Sequence, residues 1–303
     1  MEGCNCTARM TLLTRKVYFM YMNTKRRFTM LGAILGDIIG SIYEYQPIKT
    51  KDFELLTPDN HLTDDTIMTV AVGLVTASRE HHEEEEYKRN LVKFMRLLGK
   101  EFPDAGYGMR FSRWLCADDS ASYHSYGNGS AMRVSPVGWF ASSLAEAEQL
   151  ARWSAEVTHD HPDGVRGAQA VAAAIYMART AKDIGRIRGY ISSYYFPLDF
   201  RLNKIRPSYS YDETSTGSVP QAIECFLESS SYEDAVRNAV SLGGDADTQA
   251  CIAGSIAEAY YGIPAPLQKA AMTYMDQRLT RLFLAYATRL YQRARQAAGA
   301  KEG

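Results

Sequence analysis

The sequence lacks the features that mark a membrane protein or a disulfide-stabilised scaffold. No apolar run reaches the roughly 18 residues that a membrane-spanning helix needs. The five cysteines contain no Cys-x-x-Cys pair, and an odd number cannot form a complete set of disulfides. We therefore expect free thiols in a reducing compartment, a cytoplasmic location and no membrane partner.

Charge of one sign is not in excess over the whole chain. The 34 Lys and Arg residues against 35 Asp and Glu residues leave a formal net charge of -1, so we expect no stable nucleic-acid complex. Residues 1–29 differ, because they carry six basic side chains and one acidic side chain. We expect a basic, disordered tail there, or a start codon that has been assigned too far upstream, with Met30 as the working start. A transit peptide is the alternative, although the stretch contains no serine.

Strand patterns are also missing, and helical patterns replace them. No clean alternation of apolar and polar residues extends over five or more positions. Apolar stripes with helical spacing run through residues 67–75, 87–98, 165–175, 219–227, 252–260 and 275–286. Alanines on several of these faces would let helices approach closely, and no linker or repeat interrupts the body. The sequence therefore predicts an all-α fold, a compact orthogonal multi-helix single domain over residues 30–303.

Two acidic clusters precede predicted helices. The first reads Thr-Asp-Asp-Thr at 63–66, and the second reads Gly-Gly-Asp-Ala-Asp-Thr at 243–248. Either alone is an ordinary helix start, because Asp and Thr cap helices and acids in the first turn contribute about 0.3–1 kcal/mol. Together they offer only oxygen donors, the ligands that Mg²⁺ and Mn²⁺ prefer. The sequence does not show that the clusters meet. If they do, four carboxylates need bound cations to offset their repulsion.

Other segments combine glycines with polar residues. Glycines at 32, 36 and 40 would give a helix with one smooth face, and Asp37 and Glu44 interrupt its apolar run. Glycine-rich stretches at 104–108 and 126–133 are ordinary loops or cradles for phosphate. The segment 158–162 holds a His-x-His pair followed by proline, which favours a loop that leads into a helix over a metal site.

In their order and spacing, these segments resemble the ADP-ribosylglycohydrolase family. The matching stretches are Gly36–Ser41 with Glu44, Thr63–Thr66, Gly127–Arg133, Thr158–Pro162 and Gly243–Thr248. The resemblance extends from about residue 30 to the last predicted helix, and it leaves out residues 1–29. It implies an all-α domain with a cleft that holds two divalent cations, Mg²⁺ or Mn²⁺.

The resemblance also assigns roles to individual residues. It implies that the metal ligands are Thr63, Asp64, Asp65, Asp245, Asp247 and Thr248. It implies that the substrate contacts are Gly106, Tyr107, Gly108, Gly127, Asn128, Gly129, Ser130, Met132 and His159. The catalytic candidates are Glu44 and Asp65.

The activity expected from this resemblance is hydrolysis of the bond between the distal ribose of ADP-ribose and an acceptor. The acceptor is a side chain of an ADP-ribosylated protein or part of a small ADP-ribose conjugate. Metals would orient a water, carboxylates would stabilise positive charge on the ribose, and Glu44 would move a proton. The alternatives are a di-metal pyrophosphohydrolase and a non-catalytic ADP-ribose-binding relative. Loops such as 194–211 are expected to contact the acceptor, and their sequence does not indicate which acceptor binds.

Overall fold

The structure is a computed structural model that describes residues 30–78, 82–119 and 121–299, with side chains as far as residue 293. The expectation of a basic, disordered tail at residues 1–29 lies outside the described residues and stays a prediction. None of the helices in the described ranges has both the length and the apolar character that crossing a bilayer requires.

The described part of the chain forms α-helices and contains no strand, which confirms the predicted all-α single domain. The helices are α1 Leu31–Gly40, α2 Asp64–Thr76, α3 Glu84–Glu101, α4 Met109–Cys116, α5 Gly129–Met132, α6 Ser135–Phe140, α7 Leu144–Glu156, α8 Pro162–Thr180, α9 Ile184–Tyr194, α10 Leu202–Ile205, α11 Ser215–Leu227, α12 Tyr232–Val240, α13 Ala246–Tyr261, α14 Ala265–Tyr274 and α15 Gln277–Gly299. The six predicted stripes lie in α2, α3, α8, α11, α13 and α15, except that Met275 of the last stripe precedes α15.

Helices α1 and α13 form the centre of the molecule and pack against each other more extensively than any other described pair. All ten residues of α1 are buried. A Cβ atom placed on Gly36 would lie 2.1 Å from the carbonyl oxygen of Ala250, so the two backbones nearly touch. At the beginning of α1, the Gly32 N–H donates to Glu258 of α13 at 2.7 Å. This close packing sets the end of α1 beside the start of α13.

Gly36→Ala is therefore expected to lower the free energy of unfolding by about 3 kcal/mol, because the added methyl group must push α13 away from α1. Urea denaturation of the purified variant measures this loss. Gly189→Ala is the matched control, because no atom lies within 4 Å of a Cβ at that helical position. The control should gain about 0.5–1 kcal/mol from helix propensity. Equal stability of the two variants would contradict the close contact.

Helix α8 begins at the segment that contains the two histidines. Pro162 occupies its first turn, and the His161 ring nitrogen Nδ1 accepts from the Asp163 N–H at 3.1 Å. His161 is thus a helix cap, as the sequence indicated, and the preceding turn holds His159 at the wall of a cavity.

Candidate active site

A cavity of about 570 Å³ opens where the starts of α2 and α13 meet the glycine-rich loops. Apart from Ser130, every residue that the sequence assigned to a site lines this cavity. Ser130 is buried behind the wall, and its hydroxyl donates to the Gly164 carbonyl at 2.7 Å. The segments that carry the predicted site are therefore close in space, although they span some 200 positions of the chain.

The two acidic clusters converge at the floor of the cavity. The carboxylates of Glu44, Asp245 and Asp247 each place an oxygen within 4.8 Å of the others. Thr248 of the second cluster donates its hydroxyl to Asp65 of the first at 3.2 Å. Three segments thus contribute to one acidic centre, which comprises Glu44, Asp64, Asp65, Asp245 and Asp247.

Helix capping also occurs, but it accounts for only part of this arrangement. The Thr63 side chain caps α2 by accepting from the Asp65 N–H at 3.3 Å. At the start of α13, Asp245 is the N-cap residue, but its side chain makes no capping hydrogen bond. It accepts instead from the amide of Asn128 at 2.7 Å. The second cluster is therefore not explained by helix capping.

Asp37 is a structural residue of this site that the sequence showed only as a polar break in an apolar helix. Its buried carboxylate accepts from the Thr63 and Thr66 N–H groups at 3.1 Å each and from the Thr63 hydroxyl at 2.8 Å. The Thr66 hydroxyl also donates to it. Asp37 thereby ties the start of α2 to α1 and holds the first acidic cluster in place. An acid between two helical glycines was the signal that could have indicated this role.

The acidic centre carries excess negative charge that is poorly solvated. Burial raises the pKa of Asp64, Asp65 and Asp245 well above the usual value, and the charge of Asp247 adds to the rise. Burial and then Asp247 also raise the pKa of Glu44 to about 7. Such mutual repulsion is what a divalent cation would relieve.

The donor set fits a hard cation. It consists of carboxylate and hydroxyl oxygens, which suit Mg²⁺ or Mn²⁺. Asp65 Oδ1 is buried and has no hydrogen-bond partner among the described residues, so a ligand atom is available. An unpaired buried carboxylate oxygen is costly unless something binds it.

The glycine loop at 127–130 is joined directly to the acidic centre. Asn128 donates from its side chain to Asp245 and also to Ser218 at 3.1 Å. Its N–H donates to the Glu213 carbonyl at 2.9 Å, and Gly127 forms an isolated antiparallel bridge with Thr214. These bonds fix the distance between the loop and the carboxylates.

The glycine-rich loop at 104–108 also lines the cavity and leaves open space beside its backbone. Gly106 has a φ of 89°, a left-handed conformation that favours glycine, and a Cβ there or at Gly108 would meet no atom within 4 Å. The Tyr107 hydroxyl is buried and makes no hydrogen bond to any described residue. A ligand could approach the backbone closely along this loop.

Three exposed tyrosines line the mouth of the cavity, and of these Tyr45 was not indicated by the sequence. Tyr45 is 81% exposed, and its hydrogen bond to Glu44 raises the tyrosine pKa to about 12. Tyr126 and Tyr211 are also large, exposed and part of the lining. The 194–211 segment was expected to contact the acceptor, and within it Tyr211 lines the cavity whereas Tyr194 does not.

A sequence model for ADP-ribosylglycohydrolase matches residues 22–299. The chain belongs to the ADP-ribosylglycohydrolase family. Membership makes this chain a glycohydrolase enzyme, as the sequence predicted, and it confirms the family that the motifs indicated.

Individual relatives agree with this assignment. ADP-ribosylhydrolase ARH3 of Mus musculus is 29% identical over 78% of this chain and 84% of its own length. The Homo sapiens ARH3 is 28% identical, with 78% and 85% covered. ADP-ribosylarginine hydrolase Tri1 of Pseudomonas putida (strain GB-1) is 26% identical, with 88% and 78% covered.

A solved structure shares the fold. A chain of an ADP-ribosylglycohydrolase-related protein complex superposes with a TM-score of 0.62 at 22% identity, covering 87% of this chain and 95% of the other. This likeness supports the all-α architecture.

Proposed function

We propose that this enzyme uses divalent metal ions to hydrolyse the bond between C1 of the distal ribose of ADP-ribose and an acceptor. The observation that carries the proposal is the convergence of the two acidic clusters and Glu44 in one cavity that the glycine loops also line. Relatives named ADP-ribosylhydrolase and ADP-ribosylarginine hydrolase support it. The acceptor belongs to an ADP-ribosylated protein or to a small ADP-ribose conjugate.

Two divalent cations, Mg²⁺ or Mn²⁺, are proposed to bind in the acidic centre. The residues that would hold them are Thr63, Asp64, Asp65, Asp245, Asp247 and Thr248. The free oxygen of Asp65 and the repulsion among the carboxylates support this ligand set. Bound ions would supply Lewis-acid polarisation and orientation of water and ribose hydroxyls.

Glu44 is proposed to move the proton. It lies at the edge of the acidic centre, half-buried, and its pKa near 7 suits transfer in either direction at neutral pH. As a carboxylate it accepts a proton from the attacking water, and as an acid it donates one to the leaving group. Asp65 is proposed to stabilise the positive charge that develops on the ribose.

The two glycine loops are proposed to hold the diphosphate and the distal ribose. Gly106, Tyr107 and Gly108 would contact one side, and the 127–130 loop with Met132 and His159 the other. The Ser130 hydroxyl is already bonded inside the protein, so we assign Ser130 a backbone contact only. A cytoplasmic location is proposed because Cys116, Cys225 and Cys251 are unpaired.

Product analysis tests the proposed reaction. The enzyme is incubated with an ADP-ribosylated protein and with a panel of defined ADP-ribosyl conjugates, in Mg²⁺ or Mn²⁺ and in EDTA. We expect metal-dependent release of ADP-ribose. Release of AMP would show a pyrophosphohydrolase instead, and binding of ADP-ribose without turnover of any conjugate would show a non-catalytic relative.

Metal removal is expected to abolish activity and to lower the melting temperature. A ligand that binds only the folded protein stabilises it by RT ln(1 + [L]/Kd), which is about 2.7 kcal/mol at one hundred times Kd. Scanning calorimetry with MgCl₂ or MnCl₂, against NaCl of equal ionic strength, measures the shift. Full activity in excess chelator would contradict the metal sites.

A further inference from the structure

His159 is attached to the protein interior by a line of buried polar groups. Arg133 is 1% exposed, and its guanidinium Nη2 donates to the Ser154 carbonyl at 3.2 Å and to the Thr158 hydroxyl at 2.7 Å. The Thr158 hydroxyl oxygen lies 2.8 Å from Nδ1 of His159. The line therefore runs from Arg133 through Thr158 to the imidazole that lines the cavity.

The direction of these hydrogen bonds follows from the chemistry of their first member. A guanidinium only donates, so the Thr158 oxygen is an acceptor toward Arg133. Thr158 is fully buried. Among the described residues, Nδ1 of His159 is the acceptor that the hydroxyl proton of Thr158 can reach. Were Nδ1 protonated instead, the threonine proton would stay buried without a partner.

The surroundings of the imidazole favour its neutral form. Burial, followed by the charges of Arg133 and Arg110, lowers the pKa of His159 well below its usual value. A neutral imidazole carries one proton, and a hydrogen bond accepted at Nδ1 leaves that proton on Nε2.

Nε2 faces the glycine loop and is not satisfied within the described part of the protein. A Cβ on Gly129 would lie 3.0 Å from Nε2, and a Cβ on Gly127 would lie 3.7 Å from it. Nε2 makes no hydrogen bond to a residue that the structure describes. Glycines at these two positions therefore leave the nitrogen uncovered toward the cavity.

We propose that Arg133 and Thr158 are positioning residues that hold His159 in the tautomer with its proton on Nε2, as a donor to an acceptor oxygen of the ligand beside Gly127 and Gly129. The identity of that oxygen, a phosphate or ribose oxygen of ADP-ribose, rests on the proposed function. The hydrogen-bond line itself does not, because the protein's own residues form it.

The tautomer is measured directly by nitrogen-15 NMR of the histidine-labelled full chain without ligand. Wild type should show a pyridine-type Nδ1 and a pyrrole-type Nε2 for His159, whose signals are assigned by their loss in His159→Gln. Thr158→Val should shift the two nitrogen signals of His159 toward those of a mixture of tautomers. Thr158→Ser, which keeps the hydroxyl, should show the wild-type pattern. A pyrrole-type Nδ1 in wild type would overturn the proposal, whether or not the variants fold.

Calorimetric titration with ADP-ribose tests the consequence for binding. Thr158→Val should bind about tenfold more weakly, since one hydrogen bond to a ligand oxygen is impaired, and Thr158→Ser should bind as wild type does. In the His159→Gln background the same change should matter little, because an amide has no tautomers. KM should rise in Thr158→Val while kcat stays within about threefold.

The outcomes separate this inference from the proposed function. Unchanged affinity in a folded Thr158→Val protein with altered tautomers would overturn the donor role and leave ADP-ribose hydrolysis untouched. Failure of wild type to bind ADP-ribose would overturn the proposed function and with it the assigned ligand oxygen. The NMR result would still decide whether Arg133 and Thr158 set the tautomer.

Discussion

Replacing Glu44 with glutamine is expected to lower kcat by about 10²–10⁴, the range that general acid–base groups contribute. Glutamine keeps the size of the side chain and can still bond to Tyr45, but it neither accepts nor releases a proton. ADP-ribose affinity should change far less, because the glycine loops and the metal ligands are unaltered. The variant therefore separates proton transfer from binding.

Single-turnover kinetics and calorimetric titration with ADP-ribose measure the two quantities. Glu54→Gln is the matched control, because Glu54 is an exposed acid ten positions further along that does not line the cavity. It should behave as wild type. A Glu44→Gln turnover within about threefold of wild type would refute the proton-transfer role. An equally large loss of ADP-ribose affinity would instead show that Glu44 is a binding or metal-site residue.

Asp247→Asn is expected to abolish activity and metal binding while making the metal-free protein more stable at alkaline pH. Burial raises the pKa of Asp64, Asp65 and Asp245, and the charge of Asp247 adds more to that rise than any other neighbouring charge. Asparagine keeps the side-chain oxygen that accepts from the Thr248 N–H at 2.9 Å. The variant thus removes repulsion without removing the local hydrogen bond.

The sign of the pH dependence follows from linkage. Burial and then the charge of Asp247 raise the folded-state pKa of Asp37 and of Glu44 to about 7, above their ordinary values of 3.8 and 4.5. Between about pH 4 and 7 the folded protein holds more protons than the unfolded chain. Without metal, the free energy of unfolding should therefore fall as pH rises through this window, by an amount on the order of a few kcal/mol. Asp247→Asn should flatten the fall.

Urea denaturation at pH 5 and pH 8 measures the pH dependence of stability when EDTA is present. The same measurement without EDTA, in Mg²⁺ or Mn²⁺, gives the response to metal. Wild type should be less stable at pH 8 than at pH 5 without metal and should regain stability when metal is added. Asp247→Asn should show a smaller pH effect and no response to metal. Asp52→Asn, at an exposed position, is the control and should match wild type. A metal response retained in Asp247→Asn would contradict its place among the ligands.

Much of the helical framework was predictable because its signals are local. The apolar stripe at 67–75 lies in α2, and the stripe at 252–260 lies in α13. Helix α14 was not predicted, because its ten residues follow directly on Gly262 and Pro264 and none of the predicted stripes covers them. In α11 the interior Pro220 weakens the local signal, yet packing of the buried helix overrides that cost.

The residue types of the candidate site could be predicted from the sequence, but their arrangement in space could not. Glycine loops, acidic clusters and the His159 turn are recognisable in order, and the resemblance to a family assigned their roles. Asp37 was not assigned one, since its four hydrogen bonds reach residues 26 to 29 positions away. Tyr45 at the mouth was likewise missed, because an exposed tyrosine in a loop has no local signature of a binding site.

The sequence by itself determined the helical class, the oxygen-donor chemistry and the glycines that permit close approach, because these depend on residue type and on spacing within one helix turn. Only the tertiary structure decided that the two acidic clusters share a cavity. Asp65 and Thr248 are 183 positions apart, and they meet because the glycine face of α1 lets α13 lie against it, while Asp37 ties α2 to the same helix. Contacts of that range depend on how whole helices pack, which no local pattern encodes.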